Sequence, residues 1–369
     1  MSIASLPLWR SESERRLRPR RWYDRSAGRR RSYRSLRMKR DRVAVIGTGG
    51  TISAIGRDVF DLCDYDANAT MLDVAEMLTC CPRAKDDPEC YPVPLPSKSS
   101  TRMDFLDWRE LGLLCDEIVR RNSEVSGIVI LHGTATLEET AFFLHLTLKV
   151  DVAVVLVGAQ RPWNGLSSDA ALNLRNAIRV AACPEARGLG VLVLLNDEIH
   201  SARDVTKGST LRVHAFQSPV HGLLGQADPD TIVFYRKPTR RHAPDTEFKI
   251  GTLDALPRVD ILYAYAGGDD VLARAALAAG AKGIVSAGFA PGSPNALEAA
   301  VLREAAASGT IVVQSSRAGS GRVPRTTELV ESGFVSADDL TPLKARILLS
   351  LALTRTADIV EIGRMFRSY

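Results

Sequence analysis

Threonine and lysine residues near the ends of predicted strands are the part of this sequence best suited to chemistry. Thr134 lies in LHGTATLEET, which leaves an apolar segment and enters a helical pattern, and Lys207 lies in RDVTK, after the apolar VLVLLND. A threonine hydroxyl is a weak nucleophile until a neighbouring base takes its proton, and lysine is such a base only when its pKa is lowered. The two residues therefore predict nucleophilic chemistry, although a single loop lysine is also compatible with a solvated surface charge.

A glycine-rich turn, GTGGTIS at residues 47–53, adds a second threonine, Thr51. Glycine pairs let backbone N–H groups approach a ligand closely, which suits an anion or an oxyanion. The turn has neither the lysine of a phosphate-binding loop nor the spacing of a dinucleotide-binding motif, so a nucleotide site is not favoured. Taken alone, this segment predicts a tight turn that requires glycine. Together with Thr134 and Lys207, it makes Thr51 a candidate catalytic residue.

The histidines and cysteines do not form a recognisable catalytic or metal set. His132 stands before a glycine at the end of an apolar segment, so we expect a core histidine with satisfied ring nitrogens. No His-Glu-x-x-His motif is present, and the six cysteines, among them the adjacent Cys80 and Cys81, do not match zinc-site spacing. A chain of this size needs no disulfide framework, so we expect reduced thiols and a cytoplasmic protein.

Buried strands alternating with helices are the elements that must position these residues. MDFLDWRELGLLCDEIVRR and TLEETAFFLHLTLKV show helical spacing, and the second begins with a predicted capping box, Thr136-x-x-Glu139. The pattern predicts an α/β fold with a doubly wound, mostly parallel sheet. Four segments are apolar at nearly every position, as in strands buried on both faces: RVAVIGTGG, GIVILHGTA, VAVVLVGAQR and GVLVLLNDE.

The alternation of strands and helices divides the chain into two parts. It lapses in the polar, proline-bearing residues 236–257 and resumes with RVDILYAYAGG, GAKGIVSAGFAPG and GTIVVQSSRAGSG. In LTPLKARILLSLALTRT, Pro342 suits a first helical position behind Thr341. We predict a larger N-terminal α/β domain at residues 41–235, a linker at 236–257, and a smaller C-terminal α/β domain at 258–369.

Ligands of open parallel sheets bind outside the carboxyl ends of the strands, which makes the strand-end loops the candidates for the site. All of them are rich in glycine, serine and threonine. They are residues 47–53, 132–138, 158–169 and 196–210.

Positive charge is concentrated at the start of the chain. Residues 1–40 hold 14 Lys and Arg against three acids, whereas the rest holds 34 bases and 40 acids. Dense like charge with little apolar surface favours a disordered extension. A nucleic-acid or anionic-membrane arm and a targeting peptide are the alternatives. No apolar run reaches the roughly 18 residues of a membrane span, and we expect neither a membrane nor a nucleic acid as partner.

The order of the motifs carries a family resemblance. GTGGTIS, followed by HGTATLEETAFFLHLT, VVLVGAQRP, LNDEIHSARDVTK and QSSRAGSG, resembles the bacterial-type L-asparaginase/glutaminase family, from residue 42 to Tyr369. The resemblance implies a large N-terminal and a small C-terminal α/β domain, in subunits that form a homodimer or homotetramer. It implies a hydrolase of a small-molecule amide, asparagine by default, that uses a threonine nucleophile and neither metal nor other cofactor.

The resemblance also implies a role for individual residues. Those implied as catalytic are Thr51 as nucleophile, Tyr65 as its partner on a following loop, Thr134 as second threonine and Lys207 as its lysine. Those implied as substrate-binding are Ser100 and Thr101 around the carboxylate, Ala135 at the position that contacts the α-ammonium, and Glu328 from a neighbouring subunit.

Two positions depart from the family pattern. Ala135 replaces the aspartate that binds the substrate's α-ammonium and completes a Thr–Lys–Asp triad, and Gly267 stands where an asparagine from the partner subunit is common. Truncating one partner of such a charge pair costs about 2–5 kcal/mol, which would weaken asparagine binding about a hundredfold. The acids considered as replacements are Asp169 and Glu328. Loss of the aspartate should also lower the pKa of Lys207.

Four functions are compatible with these observations. The first is hydrolysis of asparagine, and the second is hydrolysis of a carboxylate-bearing amide that lacks the α-ammonium, such as succinamate. The third is a non-catalytic metabolite-binding or assembly module that has kept the fold, and the fourth is nucleic-acid binding through the basic head. Retention of Thr51, Thr134 and Lys207 together favours an enzyme over the third.

Overall fold

The apolar segments form the predicted strands within the residues that the computed structural model describes, 42–65 and 70–369. The basic head, residues 1–40, lies outside the described residues. The strands are, in chain order, β1 (Arg42–Gly47), β2 (Ala54–Ile55), β3 (Thr70–Met71), β4 (Glu89–Pro94), β5 (Val125–Leu131), β6 (Ala153–Val157), β7 (Val191–Leu195), β8 (Glu198–Ser201), β9 (Thr206–Lys207), β10 (Phe216–Gln217), β11 (Gly225–Ala227), β12 (Ile232–Phe234), β13 (Val259–Tyr263), β14 (Gly283–Gly288), β15 (Ile311–Ser316) and β16 (Phe334–Ser336). The helices are α1 (Val74–Cys80), α2 (Phe105–Arg121), α3 (Leu137–Thr147), α4 (Ala170–Ala182), α5 (Val271–Ala278), α6 (Ala296–Ala307), α7 (Thr327–Glu331), α8 (Pro342–Leu353) and α9 (Ile359–Ser368).

An eight-stranded sheet organises the first part of the chain, with the order β12-β11-β8-β7-β6-β5-β1-β4. Strands β4, β1, β5, β6 and β7 pair in parallel, and β8, β11 and β12 extend the sheet in antiparallel fashion. Parallel neighbours end at the same edge of a sheet. The carboxyl ends of β1, β5 and β6, and the loops that follow them, therefore lie side by side.

Alternate residues of these strands enter two different hydrophobic cores. On one face, Ile46 and Ile130 pack with residues of α2 and α3. On the other face, Val45 and Leu131 pack with residues of α1 and α4. Burial on both faces explains the uninterrupted apolar runs in the sequence. The predicted doubly wound, mostly parallel α/β fold is confirmed.

A smaller second sheet follows residues 236–257, which contain one 3-10 turn, Ile250–Thr252, and which we keep as the proposed linker. Its order is β13-β14-β15-β16, all parallel. Helix α8 begins at Pro342, as predicted. It packs in the same core as α3, so the hydrophobic core continues from the large sheet into the second domain.

Strand β4 was not visible in the sequence pattern. It contains Pro92 and Pro94 and, among the strands that the structure describes, pairs with β1 alone, at the edge of the large sheet. Proline cannot donate a ladder hydrogen bond, and an edge strand needs such bonds on one side only. The prolines therefore make the segment look like a loop in the sequence. They are nevertheless compatible with an edge strand.

A buried ion pair links the two parts of the chain. The guanidinium of Arg203 donates hydrogen bonds of 3.1 and 2.6 Å to the carboxylate of Asp339, and both side chains are 5% exposed. His221 Nε2 lies 2.6 Å from the same carboxylate. Burial of Asp339 opposes its ionisation, but hydrogen bonds and charge from Arg203 and His221 hold the pKa of its carboxyl well below the usual range.

We expect Asp339→Asn to lower the free energy of unfolding by about 3 kcal/mol at neutral pH, because the buried Arg203 would lose the charge of one of the two acidic partners that the structure describes for it and keep only Asp204, 3.1 Å away. Since the folded-state pKa is depressed, this stabilisation is present above the unfolded pKa and is lost as the pH falls towards the folded one. Urea unfolding at neutral and acidic pH measures both effects. The control is Asp260→Asn, which breaks the partly exposed pair with Arg258 and should cost at most about 1 kcal/mol. Equal losses in the two variants would contradict the prediction.

Candidate active site

The glycine-rich turn after β1 and the loop after β5 touch through their backbones. Gly50 has φ of 92°, a conformation that favours glycine. A Cβ atom added to it would lie 2.3 Å from Gly133 Cα. Only a residue without a side chain fits such an approach. It places the turn that carries Thr51 directly against the loop that carries Thr134.

Thr51 pairs with a phenol. Its Oγ1 lies 2.8 Å from the hydroxyl oxygen of Tyr65, and both residues are half-buried. Thr51 opens a short 3-10 turn at the end of β1, and Tyr65 lies fourteen residues later on the loop that follows. The structure thus brings together the two residues that the sequence resemblance pairs.

Thr134 pairs with an amine. Lys207 Nζ donates a hydrogen bond of 2.8 Å to Thr134 Oγ1, and Thr134 is 8% exposed. Burial lowers the pKa of the Lys207 ammonium below its ordinary value, while the charge of Glu138 acts in the opposite direction. A lysine with a lowered pKa, bonded to a buried hydroxyl, is the arrangement that proton transfer requires.

A third loop closes the site beside these pairs. Ser100 is buried, and a Cβ atom added to Gly133 would lie 2.5 Å from its Oγ. Its carbonyl accepts a 2.7 Å hydrogen bond from the Thr136 hydroxyl. Ser100 therefore borders the loop of Thr134. The neighbouring Thr101 is exposed, and its hydroxyl lies 2.9 Å from Ser99 Oγ.

The predicted capping box at the start of α3 is wrong. Thr136 occupies the N-cap position, as expected, but its side chain makes no hydrogen bond to the helix. The hydroxyl is used instead to hold the Ser100 carbonyl. The Thr136 side chain therefore joins two loops of the site instead of capping its own helix.

Ala135 is exposed at the position where the family pattern has an aspartate. Both acids considered as its replacement have other partners within this chain. Asp169 accepts hydrogen bonds from the backbone N–H groups of Gln160 and Arg161. Glu328 lies on α7, and its carboxylate is 3.2 Å from the Arg303 guanidinium. Its role in a neighbouring subunit stays a prediction.

Gly267, the other departure from the family pattern, has φ of 77° and is exposed. Positive φ is available to asparagine at a modest cost and to glycine at none. The backbone at this position is therefore compatible with either residue.

His132 is a core residue, as predicted. It is fully buried, with Nδ1 2.8 Å from the Gly133 carbonyl oxygen and Nε2 3.0 Å from the Thr140 hydroxyl. Burial lowers its pKa to about 4. The neutral ring supports the loop of Thr134.

Sequence reasoning missed Glu138. The residue is 6% exposed, and its carboxylate accepts a 3.1 Å hydrogen bond from the backbone N–H of Lys207. Glu138 stands in the first turn of α3, directly after the loop of Thr134, and this position was the available signal. Glu138 is buried, whereas the neighbouring Glu139 is only half-buried, and this difference appears only in the folded chain.

Other kinds of site receive no support from the described residues. Across residues 42–65 and 70–369, no three His, Cys, Asp or Glu side chains cluster as a possible metal site. The same residues include no helix long and apolar enough to cross a membrane. All six cysteines lie among them as free thiols, Cys80 exposed and Cys81 buried.

Comparisons with known proteins agree with this architecture. The family profile described as "Asparaginase, N-terminal" matches residues 42–240, and that described as "Glutaminase/Asparaginase C-terminal domain" matches residues 258–366. The chain is 39% identical over 327 residues to "L-asparaginase 2" of Bacillus subtilis, covering 89% of this chain and 86% of that protein. It is 39% identical over 329 residues to "Probable L-asparaginase periplasmic" of Haemophilus influenzae, covering 89% and 93%.

A solved structure gives the same result in three dimensions. The probable cytoplasmic L-asparaginase from Campylobacter jejuni superposes with a TM-score of 0.84 at 38% identity, covering 89% of this chain and 100% of that one. Both domains are included in these matches. The chain therefore belongs to the asparaginase family and is an amidohydrolase of the asparaginase type.

Proposed function

We propose that this enzyme hydrolyses the side-chain amide of L-asparagine to L-aspartate and ammonia, with Thr51 as nucleophile. Two hydrogen-bonded pairs carry the proposal, the hydroxyls of Thr51 and Tyr65 and the hydroxyl of Thr134 with the amine of Lys207. The loops that hold these pairs touch at Gly50 and Gly133. Asparagine is the amino acid named in the relatives described above, and it comes to this chain as a proposal.

The reaction takes place in two steps. Thr51 Oγ1 bonds to the amide carbon, the C–N bond breaks, and the hydroxyl proton leaves with the amino group as ammonia. Water then adds to the resulting ester, which releases the acid and restores the hydroxyl. Tyr65 orients the Thr51 hydroxyl, and Lys207 with Thr134 forms the pair that moves protons. Ser100 and Thr101 hold the substrate's α-carboxylate.

A second substrate class is favoured by Ala135. A methyl group cannot bind an ammonium, and Asp169 is engaged by the backbone N–H groups of Gln160 and Arg161. An amide that carries the carboxylate but lacks the α-ammonium, such as succinamate, would lose no binding energy from the absence of an acid at this position. We therefore propose it as the alternative substrate.

Ammonia release by the purified full chain separates the candidates. L-Asparagine, L-glutamine and succinamate are compared at equal concentration, and kcat/KM is measured for each. Higher kcat/KM for asparagine supports the first proposal, and higher kcat/KM for succinamate supports the second. Absence of ammonia from all three would contradict both proposals.

We expect Ala135→Asp to raise kcat/KM for asparagine relative to succinamate by about tenfold to a hundredfold, because the carboxylate would pair with the α-ammonium in a partly closed site. Ala135→Asn is the matched control, since it adds the same shape without the charge. An unchanged ratio in Ala135→Asp, or an equal gain in both variants, would mean that charge at this position does not select the substrate.

Assembly and cellular location remain proposals. We propose a homodimer or homotetramer in which Glu328 and the region of Gly267 face the site of another copy, and a cytoplasmic location. The relatives carry different printed locations, periplasmic for the Haemophilus protein and cytoplasmic for the Campylobacter one. Light scattering of the purified chain measures the assembly, and fractionation of cells measures the location.

A further inference from the structure

Glu138 is a buried acid on α3, bonded to the segment that carries Lys207. Its Oε1 accepts a 3.1 Å hydrogen bond from the backbone N–H of Lys207 and a 3.4 Å bond from the Thr206 hydroxyl. Its Oε2 is also buried and has no hydrogen-bond partner among the described residues. Burial of a carboxylate with one unpaired oxygen lowers the stability of the fold. Its presence here is therefore expected to serve the site.

The segment that carries Lys207 is held from the opposite side by the second domain. Lys344, on α8, is 1% exposed, and its Nζ donates to the carbonyl of Arg203 at 2.7 Å and to that of Val205. Arg203 itself is paired with Asp339. Residues 203–207 are thus anchored by main-chain contacts to α8 and to α3, one helix from each part of the chain.

We propose that Glu138 is a positioning residue for Lys207, which fixes the backbone of residues 206 and 207 from α3 so that the Lys207 side chain meets Thr134. This inference rests on the proposed function, in which Lys207 moves protons. Glu138 also acts electrostatically on Lys207, beside the position where Ala135 replaces the acid of the family pattern. The backbone bond and the charge are separable by substitution.

The charges around this pair define the expected pH effect. On Lys207, Glu138 raises the pKa against the larger lowering by burial. Burial lowers the pKa of Lys344 to about 8, and the charges of Glu138, Asp204, Arg203 and Asp339 also act on its ammonium. Removal of the Glu138 charge leaves burial of Lys207 unopposed, so the pKa of its ammonium should fall further.

Two substitutions and one matched control test the inference. Glu138→Gln keeps an acceptor for the Lys207 N–H and removes the charge. Glu138→Asp keeps the charge but is one methylene shorter, so it loses the bond. Glu139→Gln is the control, because this neighbouring acid on α3 is half-buried and, among the described residues, makes no hydrogen bond to Lys207.

Two measurements are made on each full-length variant. Trace labelling with an amine-reactive anhydride across pH, read by peptide mass spectrometry, gives the ionisation midpoint of Lys207 without any need for turnover. Ammonia release gives kcat and KM. We expect Glu138→Gln to lower the midpoint by about one pH unit, and Glu138→Asp to lower kcat about tenfold with little change in KM.

The outcomes are distinguishable from failure of the proposed function. If the parent enzyme releases no ammonia, the labelling midpoint still decides whether Glu138 acts on Lys207. If Glu138→Gln does not melt cooperatively, the kcat of Glu138→Asp decides. A midpoint equal in the parent, Glu138→Gln and Glu139→Gln, or a kcat unchanged in Glu138→Asp, would overturn the inference.

Discussion

Thr51→Ala is expected to reduce kcat for ammonia release at least about a thousandfold, because it removes the proposed nucleophile while the nearby hydroxyls of Thr48 and Ser53 donate to backbone carbonyls. The thermal unfolding midpoint should stay close to that of the parent, since Thr51 is half-buried and its side chain is bonded to Tyr65, on a partly exposed loop. Steady-state kinetics and calorimetry measure the two quantities.

Thr51→Ser is the matched control for this loss. It keeps the hydroxyl and removes only a methyl group, so it should retain far more activity than Thr51→Ala. Ammonia release by Thr51→Ala within tenfold of the parent would contradict the role of Thr51. A loss shared equally by the serine variant would assign the effect to packing and not to the hydroxyl.

Lys207→Met is expected to lower kcat by about a hundredfold to ten-thousandfold, the range typical of a general acid–base group. Methionine keeps an unbranched chain of similar length but leaves Thr134 without its 2.8 Å donor. Lys282→Met, at an exposed lysine of the second domain, is the control for loss of one positive charge. Equal kcat in the parent and Lys207→Met would remove this residue from the mechanism.

The pH dependence of the parent enzyme follows from the same pair. Burial lowers the pKa of Lys207 below its ordinary value. If the neutral amine is the active form, kcat/KM rises with pH through that lowered pKa and then levels. The rising limb should be absent from the residual activity of Lys207→Met. A rising limb of the same midpoint in that variant would assign the titration to another group.

The sequence was sufficient to predict the elements that place the site. Runs of apolar residues identified β1, β5, β6 and β7, because strands buried on both faces need apolar residues at every position. The rule that ligands bind at the carboxyl ends of parallel strands then selected the loops of Thr51, Thr134 and Lys207. Pairing of Thr51 with Tyr65 came from the resemblance, since no local pattern links them.

Contacts between loops could not be predicted in the same way. The Thr136 hydroxyl has two possible acceptors, its own helix and the Ser100 carbonyl, and only the folded chain decides between them. Glu138 faces Lys207 across nearly seventy residues of sequence. Strand β4 carries prolines that a pattern search treats as loop residues. In each case the deciding interaction is long-range.

The acyl group on Thr51 is the most direct test of the account. The enzyme is mixed with saturating amide substrate, quenched in acid within the first turnovers, digested, and mapped by mass spectrometry. We predict an added mass equal to the substrate's acyl group on the peptide that contains Thr51, fragmenting at that residue and absent from Thr51→Ala. An adduct on Thr134 or Lys207, or ammonia release from an enzyme that carries no adduct at any residue under these conditions, would contradict the account.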